Sequence, residues 1–217
     1  MKPAIGGLFA AHGQALERTG AVTIARKLMM PSPTSSSARR ASAAAPSAGR
    51  GAVLHGLAPV VDARTVLLVL GSFPGERSLQ LRQYYAHPQN HFWKILQALW
   101  PQHPLPDAAG PDGYAARCGW LLDRGLGLWD GYARGLRSGS LDSAIRDAEP
   151  NDIGALKLPR LAAIAHNGGE SFRHARHTAA LGVPVHRLPS TSPANASWSF
   201  DRKLEAWRAV IAAQGLL

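Results

Sequence analysis

Four short apolar runs, Thr65–Leu70, Gly125–Trp129, Leu161–Ala165 and Val183–Leu188, constrain this chain more than any other feature. Such runs, bounded by turn residues, suit strands buried on both faces. Helical patterns lie between them at His91–Trp100, Tyr114–Leu122, a short piece near Leu141–Arg146 and Gly168–Leu181, and a last one covers Phe200–Gln214. The alternation predicts an α/β fold, three layers (α/β/α) around a central, mostly parallel four-stranded sheet. Each strand runs into a small or polar tail: "GSFPG", "DGYARG", "HNGG" and "PSTSPANAS". In an open parallel sheet ligands bind beyond the carboxyl ends of the strands, so the chemistry is expected at that one edge.

At 217 residues the chain holds one ordinary domain and some extra. Residues 31–51, rich in Ser, Ala, Pro and Arg, have too little apolar surface to fold and predict a disordered linker. Residues 1–30 then form an N-terminal extension, partly helical in pattern, and 52–217 the folded domain. No apolar run reaches the ~18 residues of a membrane span, so no membrane partner is expected. The single cysteine, Cys118, allows no internal disulfide and no iron–sulfur cluster. The nine histidines are scattered along the chain, and no metal is expected. His166, His174 and His177 read as solvated. A reducing, cytoplasmic location fits, with organelle targeting by residues 1–50 left open. The net charge of +10 suits a phosphate backbone, but residues 1–50 carry seven Lys/Arg against one acid and 51–217 carry 17 against 13. More than half the excess thus sits outside the folded part.

The densest stretch is "GSFPGERSLQLRQYYAHPQNHFW", Gly71–Trp93. Gly71 and Gly75 permit a sharp turn and close approach of backbone amides to a ligand, but the pattern is no phosphate loop. Tyr84 and Tyr85 supply flat faces, Asn90 a donor and an acceptor that do not titrate, and His87 a group that titrates near neutrality. Phe92 and Trp93 read as core anchors. A ring beside an amide suits a flat heterocycle, the ring taking its face and the amide its edge. A plain strand-to-helix turn remains the alternative for "GSFPG" alone.

This stretch resembles the first motif of the DNA-deoxyinosine (hypoxanthine-DNA) glycosylases, a branch of the uracil-DNA glycosylase superfamily. It is also similar to the "GINPG…FAHPxNRFW" pattern of the mismatch-specific uracil glycosylases. "GSLDSAI" (Gly139–Ile145), "PNDI" (Pro150–Ile153), "HNGG" (His166–Gly169) and "LPSTSPANAS" (Leu188–Ser197) follow in the order of the deoxyinosine branch. The resemblance covers about 52–217. It implies hydrolysis of the N-glycosidic bond of deoxyinosine in DNA by a monofunctional, monomeric base-excision enzyme, without metal or cofactor, on DNA containing deaminated bases. It implies Asn90 as the catalytic residue. Gly71, Ser72, Phe73, Tyr85 and Asn167 would bind the base, with Tyr85 as its platform, Phe73 as the pocket floor and Asn167 reading its edge. Ser190, Thr191 and Ser192 would hold phosphates. His87 and Asp142 are secondary candidates, Asp142 also reading as a helix cap. Phe73 stands where most of the superfamily has Asp or Asn to position water, which weakens transfer from the uracil enzymes. The alternatives are a mismatch-type uracil-DNA glycosylase and a lesion-binding module that does not cut. A nucleoside hydrolase would call for clustered aspartates, which the sequence pattern does not offer.

Overall fold

The computed structural model describes residues 53–137 and 141–217. The expected extension and linker lie outside the described residues, as do Gly139 and Ser140 of "GSLDSAI". The elements in order are β1 (Val53–His55), β2 (Leu67–Gly71), α1 (Glu76–Leu81), α2 (Phe92–Leu99), α3 (Gly113–Leu122), β3 (Leu126–Asp130), β4 (Tyr132–Leu136), β5 (Arg146–Pro150), β6 (Ala163–Asn167), α4 (Gly169–Phe172), α5 (Ala175–Ala179), β7 (Val185–Leu188) and α6 (Phe200–Ala212). Four strands form a parallel sheet in the order β3-β2-β6-β7. These are the four expected strands. The first crossover runs from β2 out to β3, and the next returns across β2 to β6. The order therefore reverses between β2 and β6, where a crevice opens above the strand ends. Gly71 and Asn167 stand on either side of that reversal.

The period of two along a strand divides the core. Leu67 and Val69 of β2, with Leu126, Leu128, Ala163 and Ala165, face one layer, which α2, α3 and α6 cover with Phe92, Ile95, Leu96, Trp120, Trp207 and Ile211. Leu68, Leu70 and Ile164 face the other, thinner layer, closed by Ile153, Leu156, Leu158, Leu161, Val183 and Val185. α2 buries Phe92, Ile95, Leu96 and Leu99, the i, i+3, i+4, i+7 stripe of an amphipathic helix. α6 begins at Ser199, whose Oγ accepts the Arg202 N–H at 3.3 Å.

Three features differ from the expectation. A second, antiparallel sheet, β1-β4-β5, has no apolar alternation to announce it, and its register shifts twice between β4 and β5. α1 is six residues long and buries only Ser78, so it carries no hydrophobic period. The helix expected over Gly168–Leu181 is broken into α4 and α5, and the break has a purpose. His166, which the sequence predicts to be solvated, is fully buried in β6, with Nδ1 2.9 Å from Ser171 Oγ and Nε2 2.9 Å from Thr178 Oγ1. An unbroken helix would hold residues seven apart about 10.5 Å from each other along its axis, too far to grip one imidazole. The break lets both hydroxyls close on the ring. His174 is half-buried against Tyr132 (ring centroids 4.5 Å apart), and only His177 is exposed.

Burial holds the His166 pKa down at about 4, against 6.5 for the free side chain, and the nearby His174 adds to the effect. Because the folded state resists the proton that the unfolded chain accepts, His166 supports the fold fully above pH 6.5, and the support drains away as the pH falls toward 4. Urea unfolding at several pH values should show wild type losing stability relative to His166→Asn across this window, by up to about 3 kcal/mol.

Candidate active site

The floor of the crevice is set by a residue without a side chain. A Cβ on Gly71 would stand 2.5 Å from Asp130 Oδ1 and 3.3 Å from Tyr85 Oη, so only glycine leaves room for both. Gly71 and Asp130 are register partners at the ends of β2 and β3. Asp130 is 3% exposed, and its Oδ2 has no hydrogen-bond partner among the described residues; nor does the buried Tyr85 hydroxyl. Burial lifts the Asp130 pKa from 3.8 to about 7; the Asp142 carboxyl adds to the rise, while the Tyr84 hydroxyl and Arg137 oppose it. Burial, then the Asp130 charge, push the Tyr85 phenol above its ordinary range.

Around this floor opens a cleft of about 1020 Å³, and every residue expected at the site lines it: Gly71, Ser72, Phe73, Tyr85, His87, Asn90, Asp142, Asn167, Ser190, Thr191 and Ser192. Asp130 lines it too, a residue that no sequence motif singles out. The only trace was the acid at the head of the tail "DGYARG", one aspartate among many.

Tyr85 sits at φ 53°, a left-handed conformation that costs a non-glycine residue about 1–2 kcal/mol. The preceding residue, Tyr84, is pinned on both sides. The Tyr84 N–H donates to Tyr114 Oη at 2.9 Å, and Trp93 Nε1 donates to the Tyr84 carbonyl at 2.9 Å. One face of the Tyr85 ring stacks on Phe92, centroids 4.1 Å apart, so only the other face is left for a ligand. Phe73 is buried as well as lining, with the Arg137 guanidinium 5.1 Å over its ring. Arg137 in turn donates to the Pro74 carbonyl and braces the turn. Asn90 is half-buried, and its Oδ1 accepts the Phe92 N–H at 2.9 Å, which fixes the plane of the amide. His87 is exposed at the rim and accepts the Gln89 N–H at Nδ1, 3.2 Å.

The structure corrects two readings. Asp142 is no helix cap: Leu141 holds the cap position of the short 3-10 turn Asp142–Ala144. Asp142 Oδ1 instead accepts a hydrogen bond from Ser72 Oγ at 2.7 Å, and burial moves its pKa upward. Ser72 thereby spends its hydroxyl proton inside the protein. Thr191 does not face outward to a phosphate. It is 0% exposed, its Oγ1 accepts from Asn167 Nδ2 and its N–H donates to Asn167 Oδ1, both at 2.9 Å. Both ends of the Asn167 amide are thus committed to the 190–192 turn. Its freedom to read a ligand edge is reduced to one N–H and one lone pair. The Thr191 carbonyl accepts the His91 N–H at 3.0 Å, which ties the turn to the Asn90 segment across the cleft. Ser190 and Ser192 remain at the rim, half-buried. Gly168, at φ 107°, passes so close that a Cβ would lie 2.9 Å from Ser190 Cβ. Thr191→Val keeps the shape and removes the side-chain acceptor of Asn167. It should cost about 1–3 kcal/mol in thermal or urea unfolding, the range for a buried donor left unpaired, while Thr191→Ser stays close to wild type.

No family model matches the sequence. Among curated proteins the chain is 34% identical over 160 residues to a hypoxanthine DNA glycosylase of Methanosarcina acetivorans, covering 73% of this chain and 98% of that protein. It is 35% identical over 143 residues to a hypoxanthine DNA glycosylase of Methanosarcina barkeri, covering 65% and 87%. Among solved structures it is similar to the solution NMR structure of a Methanosarcina acetivorans protein proposed to be a uracil DNA glycosylase, with a TM-score of 0.65, 34% identity, and 76% and 99% of the two chains covered. With a parallel sheet of uracil-DNA glycosylase type and near-complete coverage of a relative at this identity, the chain belongs to the hypoxanthine DNA glycosylase family.

Proposed function

We propose that this protein is a monofunctional DNA glycosylase that hydrolyses the N-glycosidic bond of deoxyinosine in DNA and releases hypoxanthine. The observation that carries the reading is the meeting of the Asn90 segment and the 190–192 turn on one cleft, joined by the His91–Thr191 hydrogen bond. A duplex base is out of reach of such a cleft, so the nucleotide must swing out to enter it. The purine then lies over Gly71, with Tyr85 beside it on the lining. Ser190 and Ser192 at the rim meet the flanking phosphates, with Arg77 and Arg187 also on the lining to attract them. Asn167 and Thr191 act as the splint that holds this turn rigid.

As the C1′–N9 bond breaks, its electron pair leaves with the purine and the sugar acquires oxocarbenium character. Water adds to C1′ and gives up a proton to solvent or to the departing base. A strong base is not required for so electrophilic a centre. The Asn90 amide, already locked by the Phe92 N–H, presents a fixed dipole and a free lone pair to that water without reorganising. The domain acts as a monomer in the cytoplasm, spans 52–217, and does not depend on residues 1–50. Among the described residues, no helix is long and apolar enough to cross a membrane.

Duplexes carrying one deoxyinosine, one deoxyxanthosine, or one deoxyuridine opposite G or A, treated with alkali after incubation, test the assignment. Strand breaks should appear mainly at deoxyinosine. Preference for deoxyuridine would favour a mismatch-type uracil enzyme, and binding without breaks a non-catalytic lesion reader. Asn90→Ala should lower the single-turnover rate at least ~10²-fold, and a loss under ~3-fold would remove Asn90 from the role. Deleting residues 1–50 should preserve the rate and weaken DNA binding mainly at low salt.

A further inference from the structure

The mechanism above leaves one feature of the floor unused, a carboxyl and a phenol buried side by side above Gly71. We propose that Asp130 in its neutral, protonated form, together with the Tyr85 hydroxyl, makes a two-donor contact to the O6–N7 edge of hypoxanthine, and so selects a 6-oxopurine over uracil. The proposal rests on the glycosylase reading.

The geometry supplies the contact. Asp130 Oδ1 and Tyr85 Oη lie 2.5 and 3.3 Å from the point that a Gly71 side chain would fill, and both residues line the cleft. Asp130 Oδ2 and Tyr85 Oη are each without a hydrogen-bond partner among the described residues, an arrangement that proteins rarely leave unfilled. The backbone beneath is fixed, because the Asp130 carbonyl accepts from Asn151 Nδ2 at 2.9 Å and the Gly71 carbonyl from the Gly131 N–H at 2.8 Å. Hypoxanthine offers two neighbouring acceptors, O6 and N7, whereas uracil has a C–H beside its O4. A pair of donors therefore fits the purine and leaves one donor unpaired against uracil, the costlier mismatch. The contact to N7 also strengthens as negative charge flows into the leaving purine.

The groups facing Asp130 make the neutral form accessible. Tyr84 and Tyr85 stand on the loop before α2, Tyr114 on α3, Arg137 at the end of β4 and Asp142 in the 3-10 turn, with His174 against the adjoining Gly131. Of these only Arg137 is a fixed cation, and burial outweighs it, so the acid titrates at about 7. Donor function is then present below that pH and lost above it.

The test is single-turnover cleavage of deoxyinosine and deoxyuridine duplexes by wild type, Asp130→Asn and Tyr85→Phe between pH 5.5 and 9. Wild-type cleavage of deoxyinosine should fall about tenfold per pH unit above ~7. Asp130→Asn, whose amide donates at every pH, should retain cleavage and flatten that fall. Tyr85→Phe should lose at least ~10-fold on deoxyinosine and less on deoxyuridine. A wild-type rate that is flat or rises through pH 7 overturns the proposal even if Asp130→Asn does not fold. So does a fall that persists unchanged in Asp130→Asn, or equal losses on both duplexes in Tyr85→Phe. A wild type inert on every duplex overturns the glycosylase reading and the proposal with it, whereas failure of the proposal alone leaves deoxyinosine cleavage intact.

Discussion

Thr191 is held from two directions at once, and it ties two walls of the cleft together. The Asn167 amide grips its N–H and its hydroxyl from the end of β6, and its carbonyl takes the His91 N–H from the segment that carries Asn90. Three stretches far apart in sequence thus meet at one buried residue. Each bond alone contributes about 1 kcal/mol net, but buried and mutually oriented bonds fix a geometry more than they stabilise a fold. Loosening this knot would shift Asn90 and the 190–192 turn relative to each other, and a displacement of about 1 Å is enough to spoil a positioned reaction.

The knot also explains which parts of the site the sequence disclosed. The four core strands were legible because burial on both faces demands continuous apolar runs, and Leu67–Gly71 is buried along its whole length. The crevice followed from those strands, since the carboxyl ends of a parallel sheet are where ligands gather. The Asn90 and 190–192 segments were visible only as dense loops of small, aromatic and amide residues, and their meaning came from resemblance. What stayed hidden was the division of labour within them. Thr191 and Ser192 look alike as letters, yet one is fully buried and the other stands at the rim.

The second sheet and the broken helix were missed for related reasons. β4 and β5 pair through the backbone with half-exposed or exposed side chains, so neither face imposes an apolar pattern. The interruption between α4 and α5 has no proline or glycine to mark it. It follows from a tertiary demand, two hydroxyls reaching one buried imidazole, and no local pattern records such a demand. Asp130 escaped notice in the same way. An aspartate after a strand is an ordinary turn residue, and only the absence of a side chain at its partner Gly71 turns it inward.

That inward turn matters for a protein that handles DNA. An ionised carboxylate at the bottom of the cleft would oppose the approach of a polyanion, and in a low-dielectric site the repulsion is felt over many ångströms. Three carboxyls, Glu76, Asp130 and Asp142, nevertheless line this cleft, and burial drives the two aspartates toward the neutral form. Ser72 takes up Asp142 with a hydrogen bond, while Asp130 keeps an oxygen without a partner. The same desolvation that lessens the repulsion thus leaves a proton available where the base is expected to lie. An amide at Asn90 works beside the sugar without adding charge, and a neutral acid at Asp130 can work beside the purine on the same terms. On the proposed reading, keeping the floor of the cleft at Asp130 and Asp142 free of fixed negative charge is the condition that both the chemistry and the binding of DNA share.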